Sequence, residues 1–234
     1  MIRNRPVFSI IIPAYNKEKG IATTLKGVIQ QDFPKNQYEI IVVNNNSRDQ
    51  TKAIAQKFPV KVVDENKQGY VFALRKGCLE AQGKIIIFTD ADTIVPKDWL
   101  AQYQKAYQDP KIICAGGGAN FQPKFGLIFL IEAFLNFFGR VTKIASGFNF
   151  SIRRATYQQL GGFNPQINFH TDTDLILRTK KEGQVVFLPK NKVITSSRHY
   201  HEKAGIIYVF KGIINALWLF LFKKTIFYKF GNIR

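Results

Sequence analysis

Residues 85–92 read Ile-Ile-Ile-Phe-Thr-Asp-Ala-Asp, an apolar run that ends in two carboxylates separated by one residue. Similar apolar runs come earlier in the chain, and stretches of helical length and composition separate the runs. The runs are 8–12, 39–43, 60–63 and 85–89, and the helical stretches are 20–31, 49–57 and 70–82. Strands that are apolar on both faces and alternate with helices are typical of a parallel sheet covered on two sides. We therefore predict an α/β fold with right-handed βαβ crossovers.

Polar residues follow three of the four runs directly. Residues 13–18 (Pro-Ala-Tyr-Asn-Lys-Glu) follow the first run, 44–49 (Asn-Asn-Asn-Ser-Arg-Asp) the second and 90–92 the fourth. In open α/β sheets, ligands bind in the crevice at the carboxyl ends of the strands. The three segments are therefore predicted to line one site.

Asp90 and Asp92 are the candidate metal ligands of this site. Carboxylate oxygens suit Mg²⁺ and Mn²⁺, and such an ion also bridges phosphate oxygens and neutralises charge on a departing diphosphate. The alternative is a solvated turn, because Asp is common where strands end. Their place at the end of the run 85–89 favours the metal.

Two further groups near the strand ends have alternative interpretations. Residues 44–49 would hydrogen-bond a nucleobase or would cap the following helix. Lys67 and Arg75, which flank Gly69, would bind a phosphate at a helix start or would be surface charges. Spacing alone leaves these alternatives open.

Charged residues late in the chain are also candidates. Asp172 would be a general base for an acceptor hydroxyl, or it would complement the dipole of a helix over 172–182. Asp174 is predicted to be structural, because it precedes an apolar helical face. Arg198 and His199 would clamp a diphosphate, complete a metal shell or lie in a solvated loop.

The composition indicates a partner that carries phosphate. The chain has 34 Lys and Arg against 16 Asp and Glu, a formal net charge of +18, and 21 Phe among 234 residues. Such a charge attracts nucleic acid, nucleotides or anionic lipid surfaces. Basic residues placed among large apolar ones favour a lipid interface over nucleic acid.

The cysteines and the start of the chain indicate an intracellular protein. Cys78 and Cys114 lie in or beside apolar runs, so we predict buried thiols in a reducing compartment. No secretory signal is expected, since the apolar stretch 7–12 is short and is closed by Pro13. The N-terminus is therefore predicted to stay in the mature protein.

Six motifs, in order along the chain, resemble those of the family 2 glycosyltransferases. They lie at 9–18, 42–51, 88–92, 147–153, 161–163 and 171–178, and the similarity runs from about residue 8 to 199. The resemblance implies the GT-A fold, a Rossmann-like, mixed and mostly parallel sheet with helices on both faces. It also implies sugar transfer from a nucleotide diphosphate donor, for which most members use direct displacement with inversion, one base and one metal ion.

The same resemblance implies roles for individual residues. Asp92, Asp90 and His199 would hold Mn²⁺ or Mg²⁺, and Asp172 would be the catalytic base. The substrates would be contacted by Pro13, Ala14, Tyr15, Glu18, Asn45, Arg75, Asp90, Asn149 and Arg198.

The sequence departs from the family pattern in three of its segments. Asn44 and Asn45 stand where carboxylates are usual, which removes charge from the contact with the nucleobase. Thr171 replaces the usual Glu beside the base. Leu74-Arg75 replaces the common Arg-Asn pair and is more similar to the polyprenyl-phosphate sugar transferases.

Two apolar segments indicate contact with a membrane. Residues 205–222 would form a helix roughly 27 Å long. Lys211 at its centre costs about 2.5–3.5 kcal/mol on insertion, so the segment is predicted to lie in the interface. In and after residues 125–138, Glu132, Asn136, Arg140 and Lys143 recur every three or four residues and form one polar stripe on a broad apolar surface. The alternative for this second segment is a core helix packed on the sheet.

These inferences combine into one prediction. A glycosyltransferase domain spans 1–204, and a membrane-associating helical segment spans 205–234. The protein is expected at the cytoplasmic face of a membrane, where it acts on a lipid-linked or cell-surface glycan and has no nucleic-acid partner. The alternatives are an inactive nucleotide- or glycan-binding member, a basic nucleic-acid-binding protein and a nucleotidyl transferase. The sequence leaves open the sugar, the nucleobase and the oligomeric state.

Overall fold

A single mixed sheet of eight strands organises the protein. The computed structural model describes residues 5–126, 128–167, 170–197 and 218. The strand order in the sheet is β3-β2-β1-β4-β7-β6-β8-β5. The strands are β1 (Phe8–Ala14), β2 (Tyr38–Asn44), β3 (Lys61–Asp64), β4 (Ile85–Phe88), β5 (Thr93–Ile94), β6 (Ile112–Gln122), β7 (Phe150–Arg153) and β8 (Gln184–Ser196).

The four apolar runs form β1 to β4, as predicted. These strands are parallel to one another, whereas β7 runs antiparallel between β4 and β6. The described helices are α1 (Ile21–Ile29), α2 (Thr51–Ala55), α3 (Tyr70–Glu80), α4 (Trp99–Ala106), α5 (Ile128–Thr142), α6 (Arg154–Gln159) and α7 (Thr171–Thr179), with a 3₁₀ turn at Lys35–Gln37. The predicted α/β class and the mixed, mostly parallel sheet are confirmed.

The central strands are apolar on both faces because each face packs against its own helices. Ile10 of β1 is buried with Ile21 and other residues of α1 on one side. Its neighbour Ile11 is buried with Leu74 of α3 on the other side. Burial of one such aliphatic side chain stabilises the fold by about 1.5–3 kcal/mol. The alternation of side chains along a strand thus produces two cores from one apolar run.

The contact between α3 and the sheet requires a glycine. A Cβ atom on Gly77 would lie 2.4 Å from Cγ2 of Ile11 and 3.1 Å from Cγ2 of Val43. Because a real Cβ does not approach carbon so closely, only glycine permits α3 to pack this near β1 and β2. The close packing fixes the N-terminus of α3 beside the strand ends.

Helix α5 turns polar residues toward the sheet and large apolar residues outward. Two residues of the predicted polar stripe face the sheet: the Glu132 carboxylate accepts a hydrogen bond from the Phe121 N–H at 2.8 Å, and the Asn136 amide bonds the N–H and C=O of Ala119 at 3.0 and 2.9 Å. The other two, Arg140 and Lys143, are exposed. Six apolar side chains point outward and are 41–66% exposed; they are Phe129, Leu130, Phe134, Phe137, Phe138 and Val141. The helix nevertheless packs on the sheet, as the alternative expects, because Ile128, Ile131 and Leu135 lie against Ala119 and Phe121 of β6.

Other expectations have different outcomes. Cys78 and Cys114 are buried free thiols, as predicted, and burial raises the pKa of each to about 12. No helix among the described residues is long and apolar enough to cross a bilayer. The segment 205–222 lies outside the described residues except for Trp218, and the division at residue 204 stays a prediction.

Candidate active site

The carboxyl ends of β1, β2 and β4 meet at one edge of the sheet. Ala14 pairs with Asn44 in the β1–β2 register, and the Asn45 N–H donates to the Ala14 carbonyl at 2.9 Å. β4 lies on the other side of β1, and the Thr89 N–H donates to the Ile11 carbonyl at 3.2 Å. The three polar segments therefore line one crevice, as predicted.

The hydroxyl of Tyr70 lies at this edge beside Asp90 and near Asp172. The hydroxyl donates a hydrogen bond to Oδ1 of Asp90 at 3.1 Å. Burial raises the pKa of Tyr70 well above its usual value, and the negative charges of Asp90, Asp172 and Asp92 raise it further. Asp90 and Asp92 follow β4, whereas Asp172 lies in the first turn of α7. Residues about eighty positions apart thus share one acidic cluster.

The carboxylates of the cluster repel one another. Burial raises the pKa of Asp90 above that of an ordinary carboxylate, and the charges of Asp92 and Asp172 add to the rise. The hydrogen bond from Tyr70 opposes it. A cation between Asp90 and Asp92 would remove this repulsion.

Gly147, in the segment that follows α5, packs against the cluster. A Cβ atom on it would lie 3.1 Å from the Tyr70 hydroxyl oxygen and 3.3 Å from Oδ2 of Asp172. The segment after α5 therefore touches both side chains, and only a glycine fits there without displacing them. Asp172 also accepts a hydrogen bond from the Thr173 N–H through Oδ1, at 2.8 Å, which leaves Oδ2 facing Gly147.

Asp92 forms an ion pair that sequence reasoning missed. The Lys17 ammonium donates to Oδ2 of Asp92 at 2.9 Å, and the two side chains are only 16% and 17% exposed. The Lys17 N–H donates to Oγ1 of Thr51 at 2.6 Å. Lys17 belongs to the polar segment after β1, and its adjacency to β4 in the sheet was the available signal. The partner could not be chosen from sequence because a lysine stem is long and flexible.

The residues present fit a divalent cation. Mg²⁺ is usually bound by one or two carboxylates together with substrate phosphates, so Asp90 and Asp92 supply a sufficient protein contribution. The described part of the chain contains no group of three or more His, Cys, Asp or Glu placed to hold a metal ion on their own. His199 and Arg198 lie outside the described residues.

The loop after β1 is joined to the loop after β2 by side-chain hydrogen bonds. Glu18 accepts from the Gln50 N–H at 3.0 Å, and Asp49 accepts from the Glu18 N–H at 3.0 Å. Asn16, with φ of 50°, accepts from the Arg48 N–H at 2.9 Å. The predicted substrate contacts Tyr15 and Glu18 are exposed here, whereas Pro13 and Ala14 are buried at the end of β1.

Asn45 does not present its side chain to a ligand, which corrects the predicted base contact. Its amide nitrogen donates to the carbonyls of Glu65 and Lys67, both at 2.8 Å, and its oxygen accepts from the Gly69 N–H at 2.8 Å. The side chain is buried and holds the loop that leads into α3. An amide serves this purpose because it donates and accepts at once, which a carboxylate cannot do.

Asn149 is likewise a structural residue, and its predicted substrate contact is wrong. It is fully buried. Its oxygen accepts from the Trp99 indole at 2.9 Å and from the Tyr103 hydroxyl at 2.8 Å. Its nitrogen donates to the carbonyls of Gly118 and Asn191 at 2.9 and 2.8 Å. All its hydrogen-bonding capacity is used inside the protein.

Two further charged residues connect helices. The Arg75 guanidinium donates to the Phe163 carbonyl, so this arginine ties α3 to the turn before α7. Asp174 pairs with Arg178 at 2.8 Å, and Arg178 also donates to the carbonyls of Leu160 and Gly162. The predicted structural role of Asp174 agrees with these contacts, whereas the phosphate contact of Arg75 finds no support in them.

Comparison with known proteins supplies the family context. The model of the family described as glycosyl transferase family 2 matches residues 9–173. The chain is 32% identical over 127 residues to the glycosyltransferase AglE of Haloferax volcanii, covering 52% of this chain and 42% of AglE. It is 31% identical over 219 residues to the probable glycosyltransferase YdaM of Bacillus subtilis, covering 80% of this chain and 50% of YdaM. The chain thus spans about half the length of these relatives.

Solved structures share the fold. The mannosyltransferase PcManGT from Pyrobaculum calidifontis, in complex with GDP-Man and Mn²⁺, has a TM-score of 0.73 at 24% identity over 92% of this chain and 62% of that chain. TarS 1–349 from S. aureus, in complex with UDP, has a TM-score of 0.69 at 19% identity over 90% of this chain and 65% of that chain. These likenesses confirm the predicted GT-A fold.

Proposed function

Since the chain belongs to glycosyl transferase family 2, we propose that it transfers a sugar from a nucleotide diphosphate donor to a glycan or lipid-linked acceptor, with a divalent cation in the site. The observation that carries this proposal is the cluster of Asp90, Asp92 and Asp172 near the Tyr70 hydroxyl. The carboxylates that would bind the metal and the one that would be the base come from opposite halves of the chain.

Asp92 and Asp90 would hold the cation, with His199 as a further ligand. When bound, Mn²⁺ or Mg²⁺ supplies positive charge for the departing diphosphate. PcManGT and GalNAc-T7, which share the fold, are both known in complexes with Mn²⁺. The repulsion between Asp90 and Asp92 supports a cation here, because a positive ion would stabilise both ionised carboxylates.

Asp172 would act as the general base. The acceptor oxygen forms the new bond to the anomeric carbon while the bond from that carbon to the diphosphate oxygen breaks, and the acceptor proton passes to Asp172. Such a direct displacement inverts the anomeric configuration and needs no covalent intermediate. Oδ2 of Asp172 faces Gly147, which lies in the segment that resembles the family's acceptor-side segment, and this supports the assignment.

The test separates donor binding from turnover. Nucleotide sugars are screened by thermal shift with Mn²⁺, and transfer or hydrolysis of the stabilising donor is then measured. Asp172→Asn should lower turnover about 10³-fold, as expected for loss of a general base, with donor affinity nearly unchanged. Asp98→Asn, at an exposed position before α4, is the matched control. Near-normal turnover in Asp172→Asn would refute the base assignment, and a binder without turnover would indicate an inactive member.

We further propose that the protein associates peripherally with the cytoplasmic face of a membrane. The six exposed apolar residues of α5 form a contiguous helical face, and exposed Arg140 and Lys143 stand near its C-terminal end. Aromatic and basic residues in this arrangement suit an anionic lipid surface. A short segment joins α5 to Gly147, so this face and the acceptor side of the site are close in the chain. Residues 205–222 are the second expected contact.

Vesicle sedimentation tests the membrane contact. Phe134→Glu with Phe137→Glu should greatly weaken binding to phosphatidylglycerol vesicles, whereas Leu79→Glu, at an 81% exposed leucine on α3, should not. Deletion of residues 205–234 examines the other segment separately. Equal binding by wild type and the double variant would exclude α5 as the lipid contact.

A further inference from the structure

We propose that the Lys17 ammonium is an internal counter-ion for Asp92, which the divalent cation must displace and which then binds the diphosphate of the donor. This inference rests on the proposed function, because it assumes that Asp92 is a metal ligand. It concerns a residue for which the family resemblance implies no role.

The ion pair occupies an oxygen that the metal would need. The Lys17 ammonium lies 2.9 Å from Oδ2 of Asp92, and both side chains are more than four-fifths buried. A divalent cation bound to the same oxygen would stand within a few ångströms of the ammonium. Two positive charges at that distance repel strongly where water is scarce. Lys17 and the metal therefore exclude each other at Oδ2.

Hydrogen bonds hold the backbone of Lys17 in place, and its ammonium contacts Asp92 at the end of a long stem. Its N–H donates to Oγ1 of Thr51 at 2.6 Å, and its carbonyl accepts from the N–H groups of Gly20 and Ile21 at 3.0 and 2.9 Å. Gly20 packs against the loop that carries Asp92, since a Cβ atom on Gly20 would lie 3.1 Å from the Ala91 carbonyl oxygen. The loop that carries the ammonium and the loop that carries Asp92 thus keep a fixed separation.

Once displaced from Asp92, the Lys17 ammonium would lie beside the position that the donor's phosphates would take. A metal ion that bridges Asp92 and a diphosphate brings negative oxygens to the same crevice. A lysine ammonium binds phosphate as a point charge and needs no fixed geometry. Each charge therefore keeps an opposite partner. Asp92 pairs first with the lysine and then with the metal, and the lysine pairs first with Asp92 and then with the diphosphate.

Mn²⁺ binding to the full-length protein without nucleotide tests the first half of the exchange. Free Mn²⁺ is measured by electron paramagnetic resonance for wild type, Lys17→Met and Lys17→Arg. Lys17→Met should tighten Mn²⁺ binding about tenfold, because the competing charge is gone, and Lys17→Arg should not. Lys61→Met, which removes an exposed ion pair with Glu80, is the control and should match wild type. Unchanged or weaker Mn²⁺ binding in Lys17→Met would overturn the proposal.

Binding of UDP and GDP in the presence of Mn²⁺ tests the second half. For the nucleotide that binds the wild type, Lys17→Met should weaken binding severalfold, although the variant binds the metal more tightly. If Lys17→Met binds the nucleotide as tightly as the wild type or more tightly, the lysine does not bind the diphosphate. Asp92→Asn separates this proposal from the function itself. If Asp92→Asn leaves Mn²⁺ binding intact, the metal site is wrong; if it abolishes binding and Lys17→Met changes nothing, only the role of Lys17 is wrong.

Discussion

The half of the protein that contains β1–β4 and the half that contains β6–α7 use polar side chains in different ways. In the first half, polar residues follow buried strands and are joined to one another across loops, as Glu18 is to Gln50 and Asp49. In the second half, polar residues serve as internal hydrogen-bond partners, as Asn149 and Asn136 do. Asn45 is the exception in the first half, because its buried amide is an internal hydrogen-bond partner like that of Asn149.

The acidic cluster is where the two halves meet. The first contributes Asp90, Asp92 and Tyr70, and the second contributes Asp172 and Gly147. The proposed chemistry needs both contributions. Substitutions that affect one half alone can therefore show which half carries metal binding, proton transfer or mere stability.

The largest effect is expected at Asp92, one of the two proposed metal ligands. Asp92→Ala should abolish metal-stimulated transfer, a loss of about 10³-fold or more, because the charge on the departing diphosphate would lose its counter-ion. Steady-state transfer over a range of Mn²⁺ concentrations measures this. Metal-stimulated transfer that persists in Asp92→Ala would mean that the first half does not hold the cation.

Asn149→Ala should destabilise the fold strongly without any specific effect on substrate affinity. It removes four buried hydrogen bonds and leaves the Trp99 and Tyr103 donors unsatisfied, which costs about 3 kcal/mol or more of unfolding free energy. Urea denaturation measures the cost. A stable variant with a raised KM would instead restore Asn149 as a substrate contact.

Gly147→Ala should lower turnover about 10–100-fold, because small displacements of catalytic groups are costly. The added methyl would press on the Tyr70 hydroxyl and the Asp172 carboxylate. Gly27→Ala is the matched control, since its Cβ would have only ordinary contacts at 3.8 Å or more. Full activity in Gly147→Ala, with its unfolding unchanged, would mean that the two halves do not meet as closely as described.

The smallest effect is expected in α5. Asn136→Ala should lower the unfolding free energy by about 1–2 kcal/mol, because it removes both hydrogen bonds to the Ala119 backbone. Arg140→Ala, at an exposed position one turn later, should change it by less than about 0.5 kcal/mol. A larger loss of unfolding free energy in Arg140→Ala than in Asn136→Ala would show that α5 is rotated about its axis relative to the arrangement described.

The fold of the first half could be predicted because its signals are local. Each apolar run becomes a strand, and parallel order brings the strand ends together without further information. The placement of Asp90 and Asp92 beside residues 13–18 followed from this rule. The partner of Lys17 did not, because it depends on the rotamer of a long side chain.

The second half resisted prediction for physical reasons. The polar stripe of α5 was an argument for membrane contact, and only the structure shows that the bulged strand β6 offers backbone groups that Glu132 and Asn136 satisfy. Asn149 resembled a substrate contact in the motif, and only the packing of Trp99 and Tyr103 around it shows its function in the core. Tertiary contacts bring Asp172 to the cluster, and the spacing of residues along the chain does not predict such contacts.

The most direct test is the position of Mn²⁺ in a crystal of the protein grown with the nucleoside diphosphate that binds it. Anomalous diffraction at the manganese edge should place the ion on Asp92, beside Asp90 and in the same cleft as the Asp172 carboxylate, with Lys17 turned toward the phosphates. An ion bound away from Asp92, or an Asp172 side chain that faces a different surface from the nucleotide, would contradict the proposed site.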